Sequence, residues 1–238
     1  MAVRDVRVDS ATQADNVFTL CLADDTSVQA RALILATGVQ DILPDVPGMR
    51  EAWGETVVHC PYCHGWELAD RPTAFYGCGD DAFEMGRFLT LWTNTLTVVS
   101  DGPADFTPEQ RAELDARGVA VDERPVGRIE QEDGHVRAVV FQDGGRLEVG
   151  AVYVKPDVRP KSGLAESLGA PLDPGRILVT DDVGRVEGVP FLYLAGDTAG
   201  REHQLIQAAA DGARVAFAIN HDLLVCDTPG GVMGLGTA

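Results

Sequence analysis

Pro72-Thr73-Ala74-Phe75-Tyr76-Gly77-Cys78-Gly79-Asp80-Asp81-Ala82 reads as a short strand that runs into a glycine turn and opens a helix. Gly77, Gly79 and Ala82 have the G-x-G-x-x-A form. The first glycine permits a tight turn, the second lets a backbone approach a pyrophosphate, and a small third residue lets the helix pack close. The helix is expected over roughly Ala82 to Trp92 and the next strand over Leu96 to Val99. Strand, glycine turn, helix and strand in that order are the context a dinucleotide fingerprint requires. Asp101 ends the second strand, where an acid ~20 positions on would hold a ribose hydroxyl. Asp80 and Asp81 weigh against this, because they suit a helix N-terminus but repel a phosphate placed there. A plain structural βα turn is the competing reading. No arginine cluster follows to pair with a 2′-phosphate, so a dinucleotide bound here would be NAD-like, or the pocket is vestigial.

Just upstream lies His59-Cys60-Pro61-Tyr62-Cys63-His64-Gly65. Two cysteines at this spacing, beside a βαβ pattern, read first as a redox pair. A thiolate is the nucleophile, and a thiol's ordinary pKa of roughly 8.5 falls near a protonated imidazole. Pro61 stiffens the ring between the sulfurs by fixing φ. His59 and His64 bracket the pair, and either can hold or pass a proton near neutral pH. Inert buried thiols, a zinc site and haem c attachment are the rival readings. Zinc needs about four ligands, and no second cysteine pair is present. Haem attachment needs export.

The chain has 238 residues, 45% hydrophobic, with a formal net charge of -18. That balance excludes a basic nucleic-acid footprint and disfavours an anionic membrane surface. The positive charge is nearly all arginine, with lysine only at 155 and 161. Five cysteines, only two of them adjacent, are not a secreted disulfide framework, so a cytoplasmic location is the expectation. The N-terminus shows no apolar leader, and no run approaches the ~18 apolar residues of a membrane span.

Upstream, strands are expected over Val3 to Val8, Val17 to Leu22 and Ser27 to Leu35, the last ending in Ala36-Thr37-Gly38. Pro44 and Pro47-Gly48 mark a linker. Downstream, Thr107 caps a helix to Arg117, with Pro108 at its first position. Strands follow near 119–122, 128–132, 136–142, 146–149 and 151–154, then a second linker at Pro156 and Pro160. Phe191 to Asp197 reads as a buried strand ending in an acid. Gln204 to Leu224 reads as a helix whose Gly212 suggests close packing.

The ordered set Ala36-Thr37-Gly38, Cys60-x-x-Cys63, Gly77-x-Gly79-x-x-Ala82, Gly196-Asp197 and Gln204…Gly212 resembles the low-molecular-weight thioredoxin reductases and their flavin-dependent relatives. The resemblance implies an α/β, three-layer, Rossmann-like FAD/NAD(P)-binding fold, its FAD domain split by an inserted nucleotide-binding domain. Residues 1–48 would be a partial FAD domain, 49–155 the NAD(P)-binding and redox-cysteine domain, 156–224 the rest of the FAD domain, and 225–238 a flexible tail. It also implies FAD as cofactor, held by Ala36, Thr37, Gly38, Gly196, Asp197, His203 and Gln204. NAD(P)H would sit at Gly77, Gly79, Ala82 and Asp101 if a nicotinamide binds. Cys63 would lie nearer the flavin, Cys60 would meet the partner thiol, and His64 and His59 would handle protons. The partner would be a thioredoxin-like protein or a small dithiol, and the assembly a homodimer.

Two departures stand out. The family opens with a βαβ unit bearing its own G-x-G-x-x-G loop, and this chain has none. A fragmentary reading frame, a truncated protein and a partner chain supplying the missing part are the three explanations. Second, His64 follows Cys63 where the reductases carry Asp, and His203 stands where they often carry Arg. Cys-x-x-Cys-His-Gly resembles instead the dithiol oxidases, which pass electrons through flavin to oxygen. Reductase, oxidase and a non-catalytic dithiol module are thus the three functions to separate.

Overall fold

Asp15 and Asn16 both take positive φ, 51° and 59°, and so form the tight turn of a hairpin. β1 (Val8–Ala14) and β2 (Val17–Leu22) flank it, and β3 (Ser27–Ala30) completes an antiparallel three-stranded sheet. The turn fixes the register, with Ala14 opposite Val17 and Val8 opposite Leu22. That register corrects the strand expected at Val3 to Val8. Residues before Val8 lie beyond the end of β2; only the Arg7 carbonyl continues the pairing among the described residues, accepting from the Ala23 amide at 2.9 Å. β4 (Leu33–Leu35) and β5 (Val39–Ile42) follow.

This computed structural model describes residues 2–172, 180–200 and 203–227. The chain clusters into two units, residues 1–41 with 158–238, and residues 42–157. Residues 42–48 therefore group with the second unit. The physical reason is local: Leu43 and Met49 are buried among Ile129, Val136 and Val139. Of the tail expected at 225–238, residues 225–227 belong to the last helix and 228–238 lie outside the described residues.

In the second unit β6 (Val57–Val58) leads to a one-turn helix α1 (Pro61–His64), then β7 (Thr73–Tyr76), α2 (Gly79–Leu89) and β8 (Leu96–Val99). α3 (Pro108–Ala116) leads to β9 (Ala120–Asp122). β10 (Val126–Glu132), β11 (His135–Phe141) and β12 (Arg146–Glu148) form an antiparallel sheet, and β13 (Ala151–Val154) closes the unit. The parallel sheet runs β6-β13-β7-β8-β9. All four residues of β13 are buried, as expected of a strand covered on both faces. Its side chains alternate between two cores. Val152 and Val154 meet Val126, Val139 and Phe141 of the antiparallel sheet. Ala151 and Tyr153 meet Phe83 and Leu89 of α2 and Leu114 of α3. The unit is therefore three-layered: helices, parallel sheet, antiparallel sheet. α3 carries a full capping box between Thr107 and Gln110.

The first unit resumes with β14 (Asp157–Pro160), which pairs with β5. The stretch expected to be a plain linker is thus a short strand. α4 (Leu164–Ser167), β15 (Leu192–Leu194) and α5 (Leu205–Asp227) complete the chain. β15 pairs in parallel with β4, Leu194 opposite Leu35. Asp222 of α5 is 5% exposed and receives both Arg185 nitrogens, at 2.6 and 2.9 Å, and the Tyr193 hydroxyl at 2.7 Å. Burial works to raise its pKa, but the hydrogen bonds from Arg185, Tyr193 and His221 outweigh that and hold the carboxyl below the usual carboxylate range. Gly212 contradicts its expected role: among the described residues nothing lies within 4 Å of a Cβ placed there, so it marks no close contact between them.

Candidate functional site

Cys60 is the N-cap residue of α1, and Cys63 lies on that helix. The amides of Cys63 and His64 both donate to the Cys60 carbonyl at 3.2 Å, which curls the segment and brings the two Sγ atoms to 2.7 Å. Cys63 is exposed and Cys60 half-buried, so a visiting thiol can reach the pair. Among the described residues no third metal-ligating group joins them.

The segment rests on aromatic rings. Trp53 stacks on His59 with centroids 5.7 Å apart. Tyr62 packs against Phe88 at 5.4 Å and edge-on to Trp92 at 5.7 Å. Gly65 explains how α1 can sit so close. A Cβ there would lie 2.2 Å from the Trp92 indole nitrogen and 2.3 Å from the Pro61 carbonyl. Only a residue without a side chain fits, so the glycine of the Cys-x-x-Cys-His-Gly run is there for packing.

The turn at Gly77 and Gly79 opens α2 as the sequence predicts, with Ala82 fully buried beneath it. Several of its polar groups are engaged within the unit. The Gly79 amide donates to the Ala104 carbonyl at 2.8 Å. Asp80 accepts from the Gln110 amide group at 2.9 Å, and Asp81 pairs with Lys155 at 2.6 Å. Asp101 accepts from the Tyr76 hydroxyl and from the Val126 amide, both at 2.6 Å. Burial and this contact push the Tyr76 hydroxyl far up, so it stays a donor.

The first unit gathers the other predicted residues. Leu35, preceding Ala36-Thr37-Gly38, accepts from the Ala195 amide at 3.1 Å, and the Gly38 amide donates to the Thr198 hydroxyl at 2.6 Å. Gly196 has φ +68°, and a Cβ there would meet Ala208 of α5 at 3.3 Å. Asp197, Thr198, His203 and Val39 line one small cavity. The Nε2 atom of His203 is buried without a hydrogen-bond partner among the described residues. Gln204 immediately precedes α5. A buried nitrogen without a partner calls for one, which a water or a ligand atom would supply.

Residues 2–213 match the sequence family described as pyridine nucleotide-disulphide oxidoreductase. The chain belongs to that family. The family assignment agrees with the two glycine turns and the α/β layers. Among curated relatives, thioredoxin reductase sirT of Leptosphaeria maculans is 28% identical over 211 residues, 83% of this chain and 64% of that protein. Thioredoxin reductase of Bacillus subtilis (strain 168) is 27% identical over 209 residues, 84% of this chain and 65% of the relative. The chain thus spans just under two thirds of the length of both. Among solved structures, HlmI is 32% identical with a TM-score of 0.83, covering 92% of this chain and 70% of that one. An oxidoreductase from Agrobacterium tumefaciens is 29% identical with a TM-score of 0.86, covering 93% and 74%.

Sequence reasoning missed Trp53, Trp92 and Tyr153. The first two were ordinary apolar residues in sequence, and their contacts with His59 and Gly65 arise only on folding. Tyr153 carried one usable signal, a hydroxyl inside an otherwise wholly apolar parallel strand. Among the described residues no helix is long and apolar enough to cross a membrane.

Proposed function

We propose that the chain is a flavin-dependent thiol–disulfide oxidoreductase whose reacting groups are Cys60 and Cys63. The observation that carries this reading is the 2.7 Å approach of the two Sγ atoms at an exposed segment flanked by His59 and His64. A partner thiolate attacks Cys60 Sγ of the disulfide, and the Cys63 sulfur leaves as thiolate. The partner's second thiolate then attacks its own sulfur in that mixed disulfide, releasing the partner disulfide and a Cys60 thiolate. His64, with His59, takes up and returns the protons. The reverse sequence reduces a disulfide. The partner is a thioredoxin-like protein or a small dithiol.

FAD, when bound, would accept the electron pair from the Cys63 side or supply it. Ala36, Thr37, Gly38, Gly196, Asp197, His203 and Gln204 would hold it, and the orphaned His203 Nε2 supports that fit. The turn at Gly77, Gly79 and Ala82 does not fit a nicotinamide dinucleotide. A pyrophosphate there would face Asp80 and Asp81, the Gly79 amide is taken, and both Asp101 oxygens are engaged. That observation favours a second reading, a dithiol oxidase in which oxygen rather than a nicotinamide is the far partner of the electrons.

The test uses the purified chain with FAD added. Mixed with dithiothreitol in air, it should consume oxygen, and Cys60→Ser or Cys63→Ser should abolish this. Anaerobic mixing with NADPH or NADH should leave the flavin absorbance unchanged. Bleaching by either would restore the reductase direction, and activity that survives Cys60→Ser would sink the thiol-exchange reading.

A further inference from the structure

Tyr153 lies on the interior strand β13, paired in parallel with Val58 of β6 on one side and Phe75 of β7 on the other. It is 2% exposed, and its hydroxyl has no hydrogen-bond partner. A buried hydroxyl without a partner in an otherwise tightly satisfied unit calls for an explanation. Its surroundings supply one. Tyr153 and Val58 share the helix-facing core. Two positions beyond Val58 in the shared strand direction is Cys60, the residue at which β6 gives way to α1. A tyrosine in a strand stands off the sheet and leans along the strand. That strand direction is the one in which Cys60 follows Val58, and Cys60 is the half-buried sulfur of the pair while Cys63 is exposed.

We propose that Tyr153 is a positioning residue that stabilises the Cys60 thiolate, turning its unspent O–H toward that sulfur when the Cys60–Cys63 pair is reduced. This rests on the reading that Cys60 exchanges thiols. Burial pushes the Tyr153 hydroxyl up to about 12, and the negative charges of Cys60 and Glu67 add to the rise. It therefore keeps its proton throughout the working range and acts as a donor, never as a base. The titratable groups next to Cys60 in sequence are His59, Cys63 and His64, and Glu67 acts on Tyr153; an imidazole favours a thiolate only when protonated. Tyr153 is the donor whose effect does not depend on pH.

The experiment is site-resolved alkylation of Cys60 against pH, read by mass spectrometry so that Cys21, Cys78 and Cys226 do not interfere. It is run on the full chain carrying Cys63→Ser, with and without Tyr153→Phe. Loss of a hydrogen bond to a charged group should raise the midpoint of Cys60 reactivity by about one pH unit, or about ten-fold less thiolate on the acid side. The melting temperature should stay level or rise, because the substitution deletes an unsatisfied polar group. An unmoved midpoint overturns the inference alone. A Tyr153→Phe protein that melts lower or fails to fold overturns it as well, since the hydroxyl then serves the fold. If Cys60 reacts with pH as proposed but forms no mixed disulfide with an aromatic disulfide probe, the thiol-exchange reading falls and the positioning role stands.

Discussion

Two turns end two parallel strands in this chain, and they treat their polar groups differently. At Gly77–Gly79 the Gly79 amide, Asp80, Asp81 and Asp101 are all bonded to other parts of the same unit. At Gly196 and His203 one buried imidazole nitrogen is left without a partner among the described residues. Both turns answer to the same sequence logic of strand, glycine and small residues. What separates them is whether the protein completes its own hydrogen bonds. A completed turn is an element of the fold, and an uncompleted one leaves a partner for a water or a ligand to supply.

The largest expected effect tests what holds the uncompleted turn in place. α5 packs Ala208 against Gly196, and Asp222 anchors α5 to Arg185 and Tyr193. Asp222→Ala should destabilise the first unit by about 3 kcal/mol in urea titration, since it strands a buried hydroxyl and removes two charge-assisted bonds. The pH dependence follows from the direction of the shift. The folded carboxyl lies below its ordinary value of about 3.9, so its stabilisation is complete above that pH and is lost as acid carries the solution through the folded pKa. The Asp222→Ala chain should lack that part of the acid transition. An unchanged transition would show that the network does not anchor the helix.

Next in size is the comparison itself. His203→Phe removes the unpaired nitrogen. FAD affinity by fluorescence titration should fall about ten-fold, while the flavin-free melting temperature does not fall. A drop in melting temperature with unchanged affinity would mean that the imidazole serves the fold, and the contrast between the turns would vanish. The smallest effect is at the completed turn. Asp80→Asn with Asp81→Asn should cost α2 only about 0.5 kcal/mol by chemical denaturation. Nicotinamide should still not bleach the flavin, because the Gly79 amide and Asp101 remain engaged. Bleaching in the double variant would identify the two carboxylates as the sole barrier.

The parts that sequence made visible are those fixed by short-range chemistry. The strand at Leu96–Val99 and the Thr107 cap follow from local propensity and were placed to the residue. The sulfurs of Cys60 and Cys63 met because they are close in sequence. Helix α2 begins at Gly79 rather than Ala82, because the glycine turn itself supplies the first helical residues. β14 escaped notice because its strand character comes from pairing with β5, more than a hundred residues away in sequence. For the same reason, the engagement of Asp101 by Tyr76 and Val126 could not be read from a position that otherwise suits a ribose acid. Gly212 misled because glycine in a helix signals close approach only on average, and here its surroundings are open.

All three tryptophans, Trp53, Trp66 and Trp92, fall within forty residues of one another, and two of them touch the sulfur-bearing segment through His59 and Gly65. Indole emission is quenched by a neighbouring disulfide and by an imidazolium. The ultraviolet fluorescence of the chain therefore acts as a local meter of sulfur bonding and imidazole charge, to which residues 1–41 and 158–238 contribute no indole light.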